Sequence, residues 1–578
     1  MKRTAVLLLA FAAACLAQVD PDKVAKAHPL IDELAKSIPS DPDLRADVEI
    51  YLKAAQWTLR HPEEFFRPAT NDQLLAVLQR GLQRAKSPGS WKTQKGRLSR
   101  GYISRVDGSV QPYGLIIPEG YDPTKPTRLD VVLHGRADTQ NEVNFLFAHD
   151  SDKPIPATQR HMVLEVYGRG NNAYRWAGES DVFEALDSVR KRYNIDPNRI
   201  VLRGFSMGGA GTWHIGLHHP DRWAAIEAGA GFSETRIYAK LPPTTPEHQL
   251  RALHIYDALD YAENAAMVPT VGYGGELDPQ RAASQHIQRA IAGRTDVKSL
   301  FLIGPKTEHK WHPDSQKESD AFIDAAVDQG RRVPDRIHFV TYTTRYNRCF
   351  WLTIDALDQH YERAQVDGTR GDVTTRNVAA LTLDREGSPL IDGQKPGRGR
   401  SFVKVDGKWR PGTLKGPRKK HGLQGPIDDA FMDSFTTVDP PEKVRTEWAK
   451  WMRGELPVSA EPVKGKHLVV FGDYRTNRIL RKVNADLPIQ WVGDDIVAGN
   501  QRFAAADHTL AMICPNPLDP TRYLVVNSGL TFGEKEFRGT NALLFPRLGD
   551  FAIIRKSDGA VVLAGFFDEQ WRFPASKR

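Results

Sequence analysis

The stretch Arg203-Gly204-Phe205-Ser206-Met207-Gly208-Gly209-Ala210-Gly211 constrains this chain more than any other. It follows Ile200-Val201-Leu202, an apolar run of the kind a buried strand uses, and precedes Thr212 to Leu217, which reads as a helix. A strand therefore runs into a helix through Gly-x-Ser-x-Gly. The turn is tight and Cβ atoms near it would clash, so Gly204 and Gly208 remove them. Gly209 to Gly211 let the helix pack close to the sheet. The serine hydroxyl then projects at the top of the sheet, over the helix N-terminus. A Gly-rich loop in an ordinary α/β protein is the plain alternative, and the segments on either side weigh against it.

Those segments alternate strand and helix. From about Gly96 to Gly330 the chain reads as one α/β unit, 96–330. Gly101 to Val106 and Gln111 to Ile117 form a hairpin around Asp107-Gly108-Ser109. Leu129 to Leu133 and Met162 to Val166 are buried strands, and Asp181 to Tyr193 is an amphipathic helix. After the serine turn come strands at Trp223 to Ala228, Val268 to Tyr273 and Ser299 to Ile303. The alternation implies a mostly parallel sheet. Before it, 18–90 reads as a short helical segment, with Val48, Tyr51, Leu52, Ala55 and Leu59 on one face. It is expected to pack on the α/β unit or to cap its site. After it, 334–412 is β-rich, Lys415 to Gly425 is a Gly/Pro linker, and 426–578 reads as a further α/β segment of unassigned role.

Composition narrows the setting. Of 578 residues, 26% are charged and 40% hydrophobic, which fits a globular chain of several domains. Lys2-Arg3, the apolar Ala5 to Ala14 and the small residues before Gln18 read as a signal peptide over 1–17. The apolar core is too short to span a bilayer, so a secreted or periplasmic protein is expected, with no transmembrane segment. Lipid attachment at Cys15 is the alternative, but Ala12-Ala13-Ala14 lacks a large aliphatic residue. Cys349 and Cys514 are then left, and sequence does not bring them together. No Cys/His spacing suggests zinc. The net charge of +8 comes from dispersed residues. The densest run, Lys415 to Lys420, is expected to be solvated, and nucleic acid is not expected as a partner.

Gly-x-Ser-x-Gly between a strand and a helix resembles the nucleophile elbow of the α/β-hydrolases, whose triad runs nucleophile, acid, histidine along the chain. On that pattern Ser206 is the nucleophile. The strand ending at Tyr273 leads into Gly274-Gly275-Glu276-Leu277-Asp278-Pro279, which makes Asp278 the acid and Glu276 its competitor. The strand ending at Ile303 leads into a loop with His309, the expected general base, and His312, its competitor. His134, His214, His218 and His219 read as core or surface histidines. The pattern implies oxyanion donors at the N–H of Met207 and, from the loop His134-Gly135-Arg136, at the N–H of Arg136. Arg169, Tyr174 and Trp176, in the loop after the fourth strand, are candidates for substrate contact.

The phrases Asn194-Ile195-Asp196-Pro197-Asn198-Arg199, Gly204-Phe205-Ser206-Met207-Gly208-Gly209 and His219-Pro220-Asp221-Arg222-Trp223-Ala224-Ala225 extend the likeness. Over about 110–325 the chain resembles the prolyl oligopeptidase-like branch of the α/β-hydrolases, and equally secreted feruloyl and acetyl-xylan esterases. The resemblance implies a serine hydrolase without metal or organic cofactor. Its substrate is expected to be a small-molecule or polysaccharide-linked ester, or a peptide. Prolyl oligopeptidases carry a β-propeller before or around the catalytic domain, and only a short helical segment stands there in this sequence, so the ester is the first expectation. A binding protein on a hydrolase scaffold is the third, disfavoured by the serine, acid and histidine together. The part after Val333 is expected to shape or support the site without adding a catalytic group; the acyl-transfer machinery is expected to remain when it is removed, provided the truncated domain folds and its apolar docking surface does not make it aggregate.

Overall fold

The computed structural model describes residues 18–574; the expected leader over 1–17 lies outside the described residues. Its centre is an eight-stranded sheet of β1 (Gly96–Ile103), β2 (Val110–Ile117), β3 (Thr127–Leu133), β4 (Met162–Val166), β5 (Ile195–Phe205), β6 (Ala225–Gly229), β7 (Thr270–Gly275) and β8 (Ser299–Gly304). The strand order is β1-β2-β4-β3-β5-β6-β7-β8. β1 and β2 are antiparallel hairpin partners and β2 pairs antiparallel with β4. From β4 to β8 every pairing is parallel. Helices connect the parallel strands, as a parallel sheet requires. The interior strands are apolar on both faces: Val131, Leu133, Val201, Leu202, Ile226 and Val271 are all buried.

The N-terminal helices pack on the β1–β2 edge. Helix Pro42–Arg60 carries Asp47, whose buried carboxylate accepts from Arg100 Nη2 at 2.6 Å, Gly101 N at 3.0 Å and Trp91 Nε1 at 3.0 Å. Lys53 on the same helix donates to Val110 O at 2.9 Å. Of the two expectations for this segment, packing against the α/β unit describes these contacts.

Beyond β8 the chain builds two further layers. Residues 336–411 form a five-stranded and a four-stranded sheet. Ile337, Phe339, Trp351, Leu381, Phe402 and Trp409 fill the core between them. A six-stranded mixed sheet follows, with two short parallel strands, Phe435–Val438 and His467–Val470, beside an antiparallel set. This last sheet does not hang from a linker. One continuous apolar core runs from Val131, Leu202 and Trp213 of the central sheet to Phe431, Leu468 and Tyr523 of the C-terminal one. Helix Glu442–Met452 also reaches back, where Ala449 O accepts from Trp57 Nε1 at 2.9 Å.

The basic run 415–420 corrects its expectation at one residue. Lys415, Gly416, Pro417 and Lys420 are exposed as expected, but Lys419 is fully buried and paired with Asp550 at 2.6 Å, so the run is anchored at that one residue. A buried ammonium needs such a partner, because an unpaired one would cost several kcal/mol. Cys349 and Cys514 are both buried free thiols.

Candidate active site

β5 delivers the chain to Ser206, which sits at φ +60°, ψ −122° between the strand and helix Met207–His218. A non-glycine residue there is strained, at a cost on the order of 1–3 kcal/mol, and persists only where its surroundings impose it. They do. A Cβ on Gly204 would collide with Gly208 O, and one on Gly208 would collide with Leu133 O at the end of β3. The two glycines let the helix start come down against two strand ends, and the serine is left as the residue that turns outward.

Three groups from three strand ends meet there. Ser206 Oγ lies 2.8 Å from His309 Nε2, a hydroxyl positioned to donate to the ring. His309 Nδ1 lies 2.7 Å from Asp278 Oδ2 and donates to that carboxylate. The His309 side chain is 40% exposed and that of Asp278 2%, so the acid is buried behind a ring that opens to solvent. Asp278 also accepts from Gln280 N at 2.9 Å, which holds its second oxygen.

The competitors have other partners. Glu276 accepts from Lys306 N at 2.6 Å and thereby ties the acid loop to the histidine loop. His312 caps helix Pro313–Gln329, and its N–H donates to Tyr273 Oη at 2.8 Å. Tyr273 Oη in turn donates to Lys310 O at 2.8 Å, and the Tyr273 ring stacks on Trp311 at 4.0 Å. One tyrosine at the end of β7 therefore grips the chain just after His309. Phe205 packs on the other side, 4.8 Å from the His309 ring. Sequence reasoning missed Tyr273, Trp311 and Phe205. The signal available was the placement of Tyr273 at a strand end ahead of the acid loop.

The loop after β3 runs beside the serine. A Cβ on Gly135 would stand 3.5 Å from Ser206 Cβ and from Phe205 O. The Met207 N–H is the first of its helix, among the amides a helix leaves without an internal partner. The Arg136 N–H follows Gly135. Both named oxyanion amides thus belong to segments that adjoin Ser206. His134 braces the loop from beneath, its ring nitrogens facing Gly135 O at 2.8 Å and Tyr167 O at 3.0 Å.

Arg169, Tyr174 and Trp176 are not at the surface, which corrects their reading as substrate contacts. The Arg169 side chain has no exposure and bonds Asp107 at 2.6 Å, Asp181 at 3.0 Å and Met452 O at 2.8 Å. Burial works against its charge, but the two carboxylates outweigh it and hold the guanidinium pKa well above its ordinary value. Tyr174 is buried and donates to His134 O at 3.3 Å, beneath the loop. Trp176 is buried against Phe532 at 4.1 Å and Tyr256 at 5.4 Å. The loop that carries them stitches layers together because its polar and aromatic groups find partners far along the chain. His214, His218 and His219 are likewise packing histidines: His214 and His219 bind Glu179 at 2.9 and 3.1 Å, and His218 faces His214 O and Ile255 O. Among the described residues no cluster of His, Cys, Asp or Glu suits a metal ion. No described helix is long and apolar enough to cross a membrane.

Comparison with known proteins finds similarity over the same part of the chain. The model of the prolyl oligopeptidase family matches residues 167–326. A bifunctional acetylxylan esterase/xylanase of Neocallimastix patriciarum is 29% identical over 133 residues, covering 22% of this chain and 19% of that protein. Dipeptidyl-peptidase 5 of Porphyromonas gingivalis is 24% identical over 235 residues, 36% of this chain and 34% of that protein. The chain thus spans about a fifth and about a third of the length of these curated relatives. Among solved structures, a ferulic acid esterase aligns over 40% of this chain and 99% of its own at 16% identity and a TM-score of 0.30. Residues 167–326, which hold Ser206, Asp278 and His309, are similar to the prolyl oligopeptidase family, and the mostly parallel sheet around the Ser206 turn has the α/β-hydrolase class of fold.

Proposed function

We propose that this protein is an exported carboxylic-ester hydrolase that works through an acyl-enzyme on Ser206. The observation that carries the reading is the line Ser206 Oγ, His309 Nε2, His309 Nδ1, Asp278 Oδ2, with spacings of 2.8 and 2.7 Å. Ser206 attacks the ester carbonyl while its proton passes to His309 Nε2. Asp278 holds the ring in the tautomer that can accept and balances the imidazolium that forms. The oxyanion falls to the N–H groups of Met207 and Arg136. His309 then gives the proton to the departing alcohol. Water repeats the sequence on the acyl-enzyme, releases the acid and restores Ser206.

The similarity to an acetylxylan esterase and the open face of His309 support an ester borne on a bulky group, such as a polysaccharide. The leader-like sequence at 1–17 supports export to where such polymers lie. The match to the prolyl oligopeptidase family and to a dipeptidyl-peptidase keeps a serine peptidase as the second reading. Both chemistries share the acyl-enzyme, so a substrate panel decides. Acetyl, feruloyl and p-nitrophenyl esters are assayed beside Gly-Pro amides. Ester turnover with no amide turnover is the expected result, and the reverse selects the peptidase. Failure of both, together with no labelling by a fluorophosphonate, would leave a binding protein on a hydrolase scaffold.

A further inference from the structure

We infer that residues Arg538–Asn541 of the C-terminal layer hold the oxyanion loop in place, with the Arg136 side chain and Asn541 as positioning residues. The inference rests on the reading of Ser206 and of the loop 134–136 given above. It starts from where Arg136 sends its guanidinium. Nη1 donates to Gly539 O at 2.7 Å and Nη2 to Arg538 O at 3.2 Å, main-chain atoms some 400 residues further along the chain (403 and 402). Nε donates to Asp138 Oδ1 at 3.2 Å and closes the fork. A planar guanidinium held at all three nitrogens has little freedom to turn, and the backbone it belongs to is held with it.

A second tie reaches the next residue. Ala137 N donates to Asn171 Oδ1 at 3.1 Å and Asn171 Nδ2 donates back to Ala137 O at 2.8 Å. The Asn171 carbonyl accepts from Asn541 Nδ2 at 2.9 Å. The oxyanion loop is therefore secured at consecutive residues, 136 and 137, by the same four-residue segment.

The segment has the rigidity to serve as an anchor. On its N-terminal side Phe532 packs on Trp176, and Thr531 is held by the buried Asp428 at 2.7 Å. On its C-terminal side the buried Arg175 donates to Ala542 O at 3.3 Å and Leu544 O at 3.0 Å, and the His248 ring binds Arg547 O at 2.8 Å.

The consequence is catalytic because oxyanion donors act only within about 2.7–3.1 Å of the developing charge, and loss of one costs on the order of 100- to 1,000-fold in rate. Replacing the Arg136 side chain leaves its N–H in the chain and removes only what aims it. Arg136→Met is expected to lower kcat for p-nitrophenyl acetate about ten- to a hundredfold with KM nearly unchanged, and Asn541→Ala to lower it by a smaller factor in the same direction. Arg136→Lys, which keeps one donor toward the carbonyls, should recover part of the loss. A merely structural role would not move the next readout. Inhibition by phenylboronic acid, which forms a tetrahedral adduct on the serine, should weaken by the same factor as kcat/KM in folded enzyme, checked by circular dichroism. The inference is overturned if Arg136→Met and Asn541→Ala keep wild-type kcat and boronate affinity. It is equally overturned if activity falls only in proportion to the unfolded fraction, for which Asn541→Ala serves should Arg136→Met not fold. Ser206→Ala separates the two levels. If it retains full turnover, the reading of the site fails; if it is inactive while the positioning variants are unaffected, only this inference fails.

Discussion

At the end of β7 two carboxylates stand two residues apart, and their hydrogen bonds give them different work. Asp278 accepts from His309 Nδ1, while Glu276 accepts from the Lys306 amide. Asp278→Asn should lower kcat by roughly 10,000-fold, the scale of losing the correct tautomer, whereas Glu276→Gln should change it little. Steady-state kinetics on one activated ester checks both, and a larger loss from Glu276→Gln would exchange the roles. Tyr273→Phe frees the backbone at Lys310 and His312 and should lower kcat by about tenfold through misplacement of His309 alone. At this scale the sequence was legible where chemistry sits at a strand end, because glycines and the alternation of strand and helix mark those positions. It was misleading at Arg169 and Trp176. An arginine and a tryptophan in a Gly-rich loop read as exposed, and their partners Asp107 and Phe532 lie too far along the chain for periodicity to reveal them.

Among the elements, the loop after β6 depends on one buried acid. Asp257 accepts from Thr235 N at 3.0 Å and Thr235 Oγ at 2.6 Å, and so ties the segment that leads to Tyr238 onto the chain before β7. Burial pushes the Asp257 carboxyl up to about 7, against the opposing pull of Arg175. In the unfolded chain it returns to about 3.9. The folded state therefore binds the extra proton between those values. The stability this contributes is fully present below about pH 4 and is lost as pH rises through about 7. Asp257→Asn should flatten that part of the profile, measured as the urea midpoint from pH 4 to 8. A variant profile as steep as the wild type's would contradict the assignment. The parallel strands were the most legible elements, since Val131, Leu202 and Val271 lie in short apolar runs buried on both faces. The anchoring of Lys419 was not, because its burial depends on Asp550, which sequence alone does not bring to it.

For the whole molecule, the packing bears on the condition that the chain still folds when the part after Val333 is removed. Trp176 of the α/β layer lies against Phe532, and Arg175 donates to carbonyls at 542 and 544. Truncation between Arg331 and Pro334 would bare the apolar surface that the C-terminal layer covers. Such a fragment is expected to aggregate or lose its fixed structure, by size-exclusion chromatography and near-ultraviolet circular dichroism. A soluble, folded, active fragment would refute this. Trp176→Ala tests the same interface more gently and should cost about 3–5 kcal/mol of stability. The layers after β8 were visible in the sequence as strand patterns, but their docking was not, because it rests on side chains paired across hundreds of residues. The proposed chemistry depends entirely on Ser206 as the nucleophile. Labelling the full chain with a fluorophosphonate and mapping the adduct by peptide mass spectrometry should give one modified residue, Ser206, with no adduct and no ester turnover in a folded Ser206→Ala variant. A Ser206→Ala enzyme that still takes the label and hydrolyses ester at the wild-type rate would contradict it.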